Sequence, residues 1–231
     1  YLADPAFIPQ PVTGLLAKNY LQARSTLITD HALTMPVTAG IPAGVDSAYA
    51  PDDSAKPKGT TSLVIVDRDN NAISMTVTVE SQFGSHIFTH GFFLNNELTD
   101  FSFTAKNDQQ RLIANRVEPG KRPRSSITPV IVFQHDQLHA LSGSPGGSEI
   151  ICYVAKNLIL MLDMQLGPAM ASAKPNLCAV SRTVLEAEKS HVYLQDLEQR
   201  GEDVNYADLV SGVTNIIRRE GKWLGAADPR R

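Results

Sequence analysis

The sequence contains few of the features that mark specialised protein classes. Only two of its 231 residues are cysteine, Cys152 and Cys178, which stand far apart in the chain and form no CxxC pair. Their spacing matches neither a zinc site nor the disulfide framework of a small secreted domain. Because Cys152 stands in an apolar run, we expect a buried free thiol at that position.

Long apolar runs and a strong charge imbalance are also absent. No stretch approaches the roughly 18 apolar residues that predict a membrane-spanning helix. The net charge is only −3, from 21 basic and 24 acidic residues, so nothing global indicates a nucleic-acid or anionic-membrane partner. No signal-peptide pattern follows Tyr1, and because the chain opens in mid-pattern we expect its natural N-terminus to lie upstream.

The sequence does contain enough apolar material for a folded core. Hydrophobic residues make up 42% of the chain and charged residues 19%, which argues against intrinsic disorder. The 15 glycines and 14 prolines are an ordinary share and exclude a collagen-like or low-complexity protein. A chain of this length forms one large domain or two small ones.

The N-terminal quarter differs from the rest in character. Apolar residues recur at helical spacing from Leu15 to about Ile28. Residues 35–59 contain four prolines and three glycines without periodicity, which predicts an exposed, mobile linker. Residues 102–126 are polar and basic but have no aromatic residue after Phe103, so a solvated loop is favoured over a nucleic-acid surface.

Strand and helix patterns begin abruptly at the end of this linker. TTSLVIVD and AISMTVTV flank the turn DRDNN and predict a β-hairpin over 61–79. Strands are also predicted at PVIVF and LHALS, a buried helix over 148–165, and a last hairpin near 212–225. Hairpin-linked strands with helices between them predict an α+β fold rather than a doubly wound parallel sheet.

The first segment that could carry chemistry is the junction of Gly59 and Thr60. A threonine hydroxyl is a poor nucleophile and needs a base. If the peptide bond before Thr60 is cut, its own α-amine can serve as that base. The segment alone is equally explained as the start of a strand.

The second segment is GSPGGS, residues 143–148, before the predicted helix. The paired glycines Gly146 and Gly147 would leave backbone N–H groups free to bind an oxyanion or a phosphate. The lysine and glycine spacing of a nucleotide-binding loop are missing. Taken alone, the segment favours a tight turn with Ser148 as the helix N-cap.

Two polar clusters are the remaining candidates. The pair Ser125-Ser126 follows the basic run KRPR and could hold a carboxylate. The run NNELTD, residues 95–100, follows a strand predicted over Ile87–Leu94 and could hold an ammonium group through its carboxylates. Each cluster by itself is also explained as a polar loop or turn.

Together, the four segments resemble the γ-glutamyltransferase (γ-glutamyltranspeptidase) family of N-terminal-nucleophile hydrolases. The strings TTSLVIVDRDNNAISMTVTVESQFGS, GFFLNNELTDFS, PGKRPRSSITP and GSPGGS stand in that family's order and spacing. The resemblance covers about 60–231, which corresponds to the small-subunit catalytic domain, whereas 1–59 corresponds to the tail of the large subunit and the processing linker. It implies the C-terminal half of an α+β fold, the αββα four-layer sandwich.

The resemblance also implies roles for individual residues. Thr60 corresponds to the threonine that cleaves the Gly59–Thr60 bond of its own precursor and then acts as the nucleophile. Thr78 corresponds to the threonine whose hydroxyl bonds the nucleophile's amine. The remaining implied residues are Glu97 and Asp100 for the substrate's α-ammonium, Ser125 and Ser126 for its α-carboxylate, and Gly146 and Gly147 as backbone donors of the oxyanion hole.

The sequence departs from the family pattern at three points. Glu80 stands where many members have asparagine, and we expect it to join the ammonium site. Residues 102–121, which match the substrate lid, lack the family's gating tyrosine. The arginine that grips the α-carboxylate in the family belongs to the large subunit, and no residue here can be assigned that role.

The implied reaction is acyl transfer from a γ-glutamyl amide such as glutathione to water or an amino acid. The resemblance implies no metal or organic cofactor, the large subunit of the same precursor as the partner, and a periplasmic or secreted location. While Gly59 and Thr60 remain joined, Thr60 has no free amine, so we expect the fragment alone to be uncut and inactive.

Two alternatives remain open. A cephalosporin-acylase-like amidase of the same family would act on a glutaryl group, which has no ammonium. Glu80, Glu97 and Asp100 would then face no cation, and burying unpaired carboxylates is costly. The alternative from another class is a non-catalytic binding domain or unprocessed precursor fragment.

Overall fold

The computed structural model describes residues 2–33, 37–52, 59–179, 184–188 and 192–230. Its helices and strands, in chain order, are α1 (Val12–Leu15), α2 (Lys18–Ser25), β1 (Thr60–Val66), β2 (Ala72–Thr78), β3 (Phe88–Thr89), β4 (Phe92–Phe93), β5 (Val130–Gln134), β6 (Gln137–Gly143), α3 (Ile150–Leu158), α4 (Pro168–Ala173), β7 (Leu177–Ala179), β8 (Leu185–Ala187), α5 (Val192–Gln199), β9 (Val204–Tyr206), β10 (Thr214–Arg219) and β11 (Lys222–Ala227). Short 3-10 helices lie at Glu97–Asp100 and Gly147–Glu149, and a π-helical turn at Ile159–Asp163. This mixture of helices and mainly antiparallel strands is the predicted α+β class.

The hairpin predicted after the linker is confirmed. β1 and β2 pair in antiparallel fashion, with Thr60 opposite Thr78. The Asp67 carboxylate holds the turn between them by accepting the backbone N–H groups of Asp69 and Asn71, both at 2.8 Å. Since side chains alternate between the two faces of a strand, the period-two pattern of AISMTVT becomes two chemically different faces.

A four-stranded antiparallel sheet in the order β11-β10-β6-β5 forms the next layer. One of its faces is covered by α3, the π-helical turn and α4. Ala140 and Ile217 of the sheet meet Met161 and Ala171 of the helical layer there, each at most 1% exposed. Removing this apolar surface from water stabilises the two layers as a unit.

The hairpin packs on the opposite face of this sheet. Ser74 Oγ of β2 donates a hydrogen bond to the Ser142 carbonyl of β6 at 3.1 Å. The approach is close at Gly143, where a Cβ atom would lie 2.3 Å from Ser62 Oγ and would force that hydroxyl to move. The layers therefore run helices, sheet and hairpin, and the N-terminal end of β1 lies against the loop after β6.

The outer face of the hairpin is apolar and open. It carries the cross-strand pairs Leu63–Met75 and Ile65–Ile73, followed by Val77. Ile65, Ile73 and Val77 are 51%, 52% and 52% exposed. In an αββα sandwich a second helical layer lies on such a face, and the described residues supply none there.

Most described residues of the linker at 35–59 are exposed, as expected, but the expectation is wrong around Ala50. Ala50 is only 2% exposed. The Asn115 side chain donates to an Asp52 carboxylate oxygen at 3.0 Å, which holds that part of the linker against the body of the domain. Absence of periodicity excludes a regular helix or strand, but not docking through specific contacts. Residues 53–58 lie outside the described part of the chain.

The basic segment 102–126 is not a freely solvated loop, as the sequence had suggested. Arg122 makes a bidentate ion pair with Asp4, and the bond to Arg122 holds the pKa of Asp4 well below its ordinary value. Lys121 is 6% exposed and donates to Glu118 at 2.8 Å. The positive charges of the segment therefore bind other parts of the protein: Arg122 holds the N-terminal residues at Asp4, and Lys121 holds the loop itself at Glu118.

The two cysteines form a disulfide bond, so the expectation of a buried free thiol at Cys152 is wrong. Cys152 lies on α3 and Cys178 on β7, with Cα atoms 5.5 Å apart. Cys152 is half-buried rather than fully enclosed. α3 packs beside β7, an approach decided by tertiary packing rather than by spacing along the chain.

Replacing both cysteines with serine is expected to lower the free energy of unfolding by about 3 kcal/mol, because the bond closes a loop of 26 residues. Denaturant unfolding of the full-length protein and its double variant measures the difference. Reduced wild-type protein is the control and should unfold with the variant. Equal stability of the oxidised and reduced forms would contradict the prediction.

Within the described part of the chain, no helix combines the length and the apolar character needed to cross a lipid bilayer.

Candidate active site

Two threonine hydroxyls face each other at the open end of the hairpin. Thr60 is the first residue of β1 and Thr78 the last of β2, and antiparallel register makes them direct partners. Thr60 Oγ1 donates to Thr78 Oγ1 at 3.0 Å. Because β1 and β2 are equal in length, the last residue of β2, Thr78, lies directly opposite the first residue of β1, Thr60.

Most of the predicted site residues line one small cleft. Its lining consists of Thr60, Thr78, Glu80, Asp100, Ser125, Ser126, Ile127, Gly147 and Ile150. The cleft has a volume of about 10 Å³ in the continuous chain, which is room for about one water molecule. Residues that are far apart in the sequence are thus brought together.

Glu80 and Asp100 line the cleft, and Glu97 lies beside them, outside its lining; together the three form a carboxylate wall. Glu80, Glu97 and Asp100 each have an oxygen within 4.8 Å of the others. Glu80 and Asp100 are buried and Glu97 is half-buried. Burial, and then the neighbouring charge of Asp100, raises the pKa of Glu97 above its ordinary value. Such a cluster strongly favours a cation, because positive charge relieves both the repulsion and the desolvation.

Glu80 has a backbone conformation that glutamate seldom adopts. Its φ is +75°, in the left-handed region, where asparagine is accepted more readily. Its N–H donates to Thr78 Oγ1 at 2.9 Å, and this bond holds the chain in the turn. The departure from asparagine noted in the sequence therefore adds a charge at a strained position.

The serine pair is joined to the glycine loop. Ser126 Oγ donates to the Gly147 carbonyl at 2.7 Å, and Ser125, which is exposed, accepts the Ile127 N–H at 3.2 Å. The two segments that the sequence suggested for carboxylate and oxyanion binding are therefore in direct contact.

Both glycines of that loop have positive φ, which explains why glycine stands there. Gly146 has φ +139° and Gly147 φ +64°. A Cβ on Gly146 would also lie 2.5 Å from a ring carbon of Tyr153. Gly147 lines the cleft, whereas Gly146 packs on Tyr153 and is absent from the cleft lining among the described residues.

Sequence reasoning missed Asn115, which connects several parts of the site. This residue is 1% exposed. Its side-chain nitrogen donates to the Asp100 carbonyl at 2.7 Å, and its oxygen accepts the Arg124 N–H at 2.9 Å. Asn115 thereby sets the position of Asp100 and of the residue preceding Ser125. Nothing local in the sequence marked it, because its partners lie in separate loops.

The same three carboxylates are the described residues best placed to hold a positively charged group. Glu80, Glu97 and Asp100 could supply oxygen ligands to a metal ion or accept hydrogen bonds from an ammonium. The adjacent Ser125 hydroxyl offers a hydrogen-bond donor for an anion, whereas the Ser126 hydroxyl would first have to leave the Gly147 carbonyl. A molecule carrying both an ammonium and a carboxylate, such as an α-amino acid, matches this pair of neighbouring subsites.

Comparison with known proteins identifies the family. The family profile described as Gamma-glutamyltranspeptidase matches residues 1–231. The glutathione hydrolase proenzyme of Escherichia coli (strain K12) is 32% identical over 242 residues, which cover 100% of this chain and 40% of that protein. That of Bacillus subtilis subsp. natto is 34% identical over 190 residues, covering 78% of this chain and 31% of that protein.

Solved structures resemble the chain in the same way. A mutant γ-glutamyltranspeptidase from Helicobacter pylori superposes with a TM-score of 0.65 and 30% identity, covering 74% of this chain and 100% of that chain. A cephalosporin acylase from Bacillus halodurans gives a TM-score of 0.80 over 100% of this chain and 40% of its own, but at 22% identity this likeness shows the fold alone. These neighbours confirm the expected fold of the N-terminal-nucleophile hydrolases.

The chain spans about a third to two fifths of the length of these curated relatives. The family match nevertheless extends from its first residue to its last. The sequence relatives and the structural neighbour above 25% identity point to the same family, as do the clustered threonines, carboxylates and serines. This protein chain belongs to the γ-glutamyltranspeptidase family.

Proposed function

We propose that this chain is the C-terminal part of a self-processing γ-glutamyltransferase that hydrolyses glutathione and related γ-glutamyl amides or transfers their γ-glutamyl group. Residues 60–231 would form the small-subunit catalytic domain, and 1–59 the tail of the large subunit with the processing linker. The observation that carries this proposal is the cleft that brings the Thr60–Thr78 pair together with two carboxylates and two serines.

Donor binding follows from the charges around the cleft. Glu80, Glu97 and Asp100 would accept hydrogen bonds from the α-ammonium of the γ-glutamyl group. Ser125 would donate to its α-carboxylate, and Ser126 would do so by turning its hydroxyl away from the Gly147 carbonyl. Holding both α-substituents leaves the side chain of the donor free to extend its γ-carbonyl towards Thr60.

Chemistry would begin once Thr60 has a free α-amine. That amine has an ordinary pKa of about 8, so a usable fraction is neutral at physiological pH and can accept the hydroxyl proton. The Thr60 oxygen attacks the γ-carbonyl, and N–H groups of Gly146 and Gly147 stabilise the oxyanion. The amine of the leaving group takes a proton and departs, and water or an amino acid then releases the acyl group.

The exposed hairpin face supports the large subunit as partner. Half-exposed Ile65, Ile73 and Val77 form an apolar surface on the layer where the family fold needs helices. Covering it would stabilise both parts. The Cys152–Cys178 disulfide supports a periplasmic or secreted location, because such bonds persist in oxidising compartments.

A cephalosporin-acylase-like activity is disfavoured by the carboxylate wall, since a glutaryl donor brings no cation to Glu80, Glu97 and Asp100. A non-catalytic precursor fragment is the other alternative.

Two measurements on purified full-length protein separate the proposed γ-glutamyltransferase from the acylase and from the non-catalytic fragment. Intact mass should give two chains divided between Gly59 and Thr60, and the cut protein should release glutamate from glutathione. A single uncut chain without turnover would overturn the proposal.

The raised pKa of Glu97 predicts the acid limb of the pH profile. Binding of the ammonium needs the carboxylate form, so kcat/KM for glutathione should fall as the pH drops through the pKa of Glu97. The fall should start above the ordinary glutamate range, because burial and Asp100 raise this pKa. In the Glu97→Gln variant the acid limb of the pH profile should move to lower pH. An unchanged acid limb would contradict its assignment to Glu97.

A further inference from the structure

The first turn of α3 contacts the candidate site on two sides. Ile150, the first residue of the helix, is 1% exposed and lines the cleft. Tyr153, also 1% exposed, packs on Gly146, where a Cβ atom would lie 2.5 Å from a carbon of its ring. The position of this single turn therefore sets one side of the cleft and supports the loop that carries Gly146 and Gly147.

Local interactions do little to fix this start of the helix. In the described structure, α3 has no hydrogen bond from a side-chain N-cap. Ser148, which the sequence favoured as the N-cap, donates instead to a Glu149 carboxylate oxygen at 3.1 Å. The preceding Gly146 and Gly147 have more backbone freedom than other residues, and a helix end without a cap opens easily. The turn and the loop therefore depend on ties from outside the segment.

The Cys152–Cys178 disulfide is such a tie, and it lies within the turn itself. Cys152 stands between Ile150 and Tyr153 on α3, and its Cα atom is 5.5 Å from that of Cys178. Cys178 is the middle residue of β7, which belongs to the separate three-stranded sheet β7-β8-β9. The bond thus anchors the first turn of α3 to a second sheet, which in the described residues does not pair with the four-stranded sheet.

The middle of α3 has ties of its own, one turn further along the helix. The Lys156 ammonium donates to Asn176 Oδ1 at 2.6 Å, just before β7. Burial lowers the pKa of Lys156 to about 8, so the charged form predominates at pH 7. The ring of Tyr153 is packed against Leu209 and Val213. These contacts would hold the body of the helix if the disulfide opened, so the change would be confined to its first turn and the glycine loop.

We propose that the Cys152–Cys178 bond is a redox switch, through which thiol reductants slow turnover by loosening the first turn of α3 and the Gly146–Gly147 loop. The inference rests on the proposed function, which assigns the N–H groups of that loop to the oxyanion. Donors displaced from the position of the oxyanion stabilise it less, because their contribution depends on preorganised geometry. Since the oxyanion forms only on the way through the transition state, the loss appears mainly in kcat.

The switch is an exchange of two electrons and two protons with a dithiol. One thiolate of the dithiol attacks Sγ of Cys152, because Cys152 is half-buried whereas Cys178 is only 3% exposed. The S–S bond breaks and Cys178 leaves as a thiolate. The second thiolate attacks the dithiol's own sulfur in this mixed disulfide and releases Cys152. The dithiol ends as a disulfide, and both cysteines end as thiols that have taken its two protons.

The first test follows hydrogen exchange in the full-length protein before and after reduction with dithiothreitol at pH 7. Amides of residues 147–153 should exchange about tenfold faster or more in the reduced protein, at labelling times short enough for the β1–β2 hairpin to remain protected. Mass spectrometry of peptides separates the two segments. Equal exchange of residues 147–153 in the two states, or loss of protection in the hairpin at the same labelling times, would overturn the switch.

The second test measures turnover of a γ-glutamyl anilide, because glutathione is itself a thiol. Self-cleaved protein is divided into an oxidised and a dithiothreitol-treated portion, so that processing is the same in both. Reduction should lower kcat by about tenfold, a part of the effect of removing one oxyanion donor, with KM within about twofold. Reoxidation should restore kcat. Protein with Cys152→Ser and Cys178→Ser should match the reduced portion and not respond to dithiothreitol.

Ile217→Ala is the control for loss of stability. Ile217 is 1% exposed in the core between the four-stranded sheet and the helical layer, so its truncation costs about as much stability as opening the disulfide. The oxidised variant should nevertheless keep kcat within about twofold of wild type. An unchanged kcat on reduction of wild type, or an equal fall in oxidised Ile217→Ala, would contradict the switch.

The outcome is separate from that of the proposed activity. Exchange that rises only in residues 147–153, in protein that does not act on the γ-glutamyl anilide, supports redox control of the loop and refutes the γ-glutamyl function. Turnover that reduction leaves unchanged supports the γ-glutamyl function and refutes the switch.

Discussion

Replacing Thr60 with alanine is expected to abolish both self-cleavage and turnover of γ-glutamyl donors in the full-length protein. One hydroxyl serves as nucleophile in both steps, so no other described group takes over its role. Turnover should fall by on the order of 10⁴-fold or more, as it does when a hydrolase loses its nucleophile. Intact mass measures cleavage, and glutamate release from glutathione measures turnover.

Thr61→Ala is the control for this change. Thr61 is the next residue of β1, but its side chain is exposed and lies on the opposite face, across from Val77. This variant should cut itself and turn over donors at close to the wild-type rate. Cleavage at Gly59–Thr60 in the Thr60→Ala protein would show that another group acts as the nucleophile.

A γ-glutamyl donor is expected to be preferred over the corresponding glutaryl donor by on the order of 10²-fold or more in kcat/KM. The glutaryl group lacks the α-ammonium, so it leaves the carboxylates of Glu80, Glu97 and Asp100 facing no cation. Breaking a buried charge pair by removing one partner costs several kcal/mol, and about 1.4 kcal/mol corresponds to a factor of ten. The measurement is kcat/KM for γ-glutamyl and glutaryl anilides of the same leaving group.

Asp100→Asn should narrow this preference, because one negative charge that attracts the α-ammonium is removed from the wall. Asp136→Asn makes the same charge change in the exposed turn between β5 and β6, and should leave the preference unchanged. Equal kcat/KM for the two donors in wild-type protein would refute the ammonium site and favour the acylase alternative.

Local pattern was sufficient for the elements nearest the site. The first hairpin was predictable because strand alternation and a turn held by Asp67 are encoded within a few neighbouring residues. The helix predicted over 148–165 is present, but it begins as a 3-10 turn and ends as a π-helical turn. The strand predicted near Ile87–Leu94 is instead the short β3–β4 hairpin, since His90 and Gly91 both have positive φ.

The residues of the candidate site were named from the resemblance rather than from geometry. Each segment alone was also explained as an ordinary turn, loop or strand start. No single segment predicted that they form one site. Thr60, Asp100 and Ser126 come together only after β2 pairs with β1 and two loops pack at the end of the hairpin.

The sequence by itself determined the α+β class, the hairpin over 61–79, and the types of side chain available for acyl transfer. Those properties depend on periodicity and on short motifs. Tertiary structure alone decided the Cys152–Cys178 bond and the linking role of Asn115. Each of these depends on distances between atoms in separate elements, and such distances are set by how the layers pack.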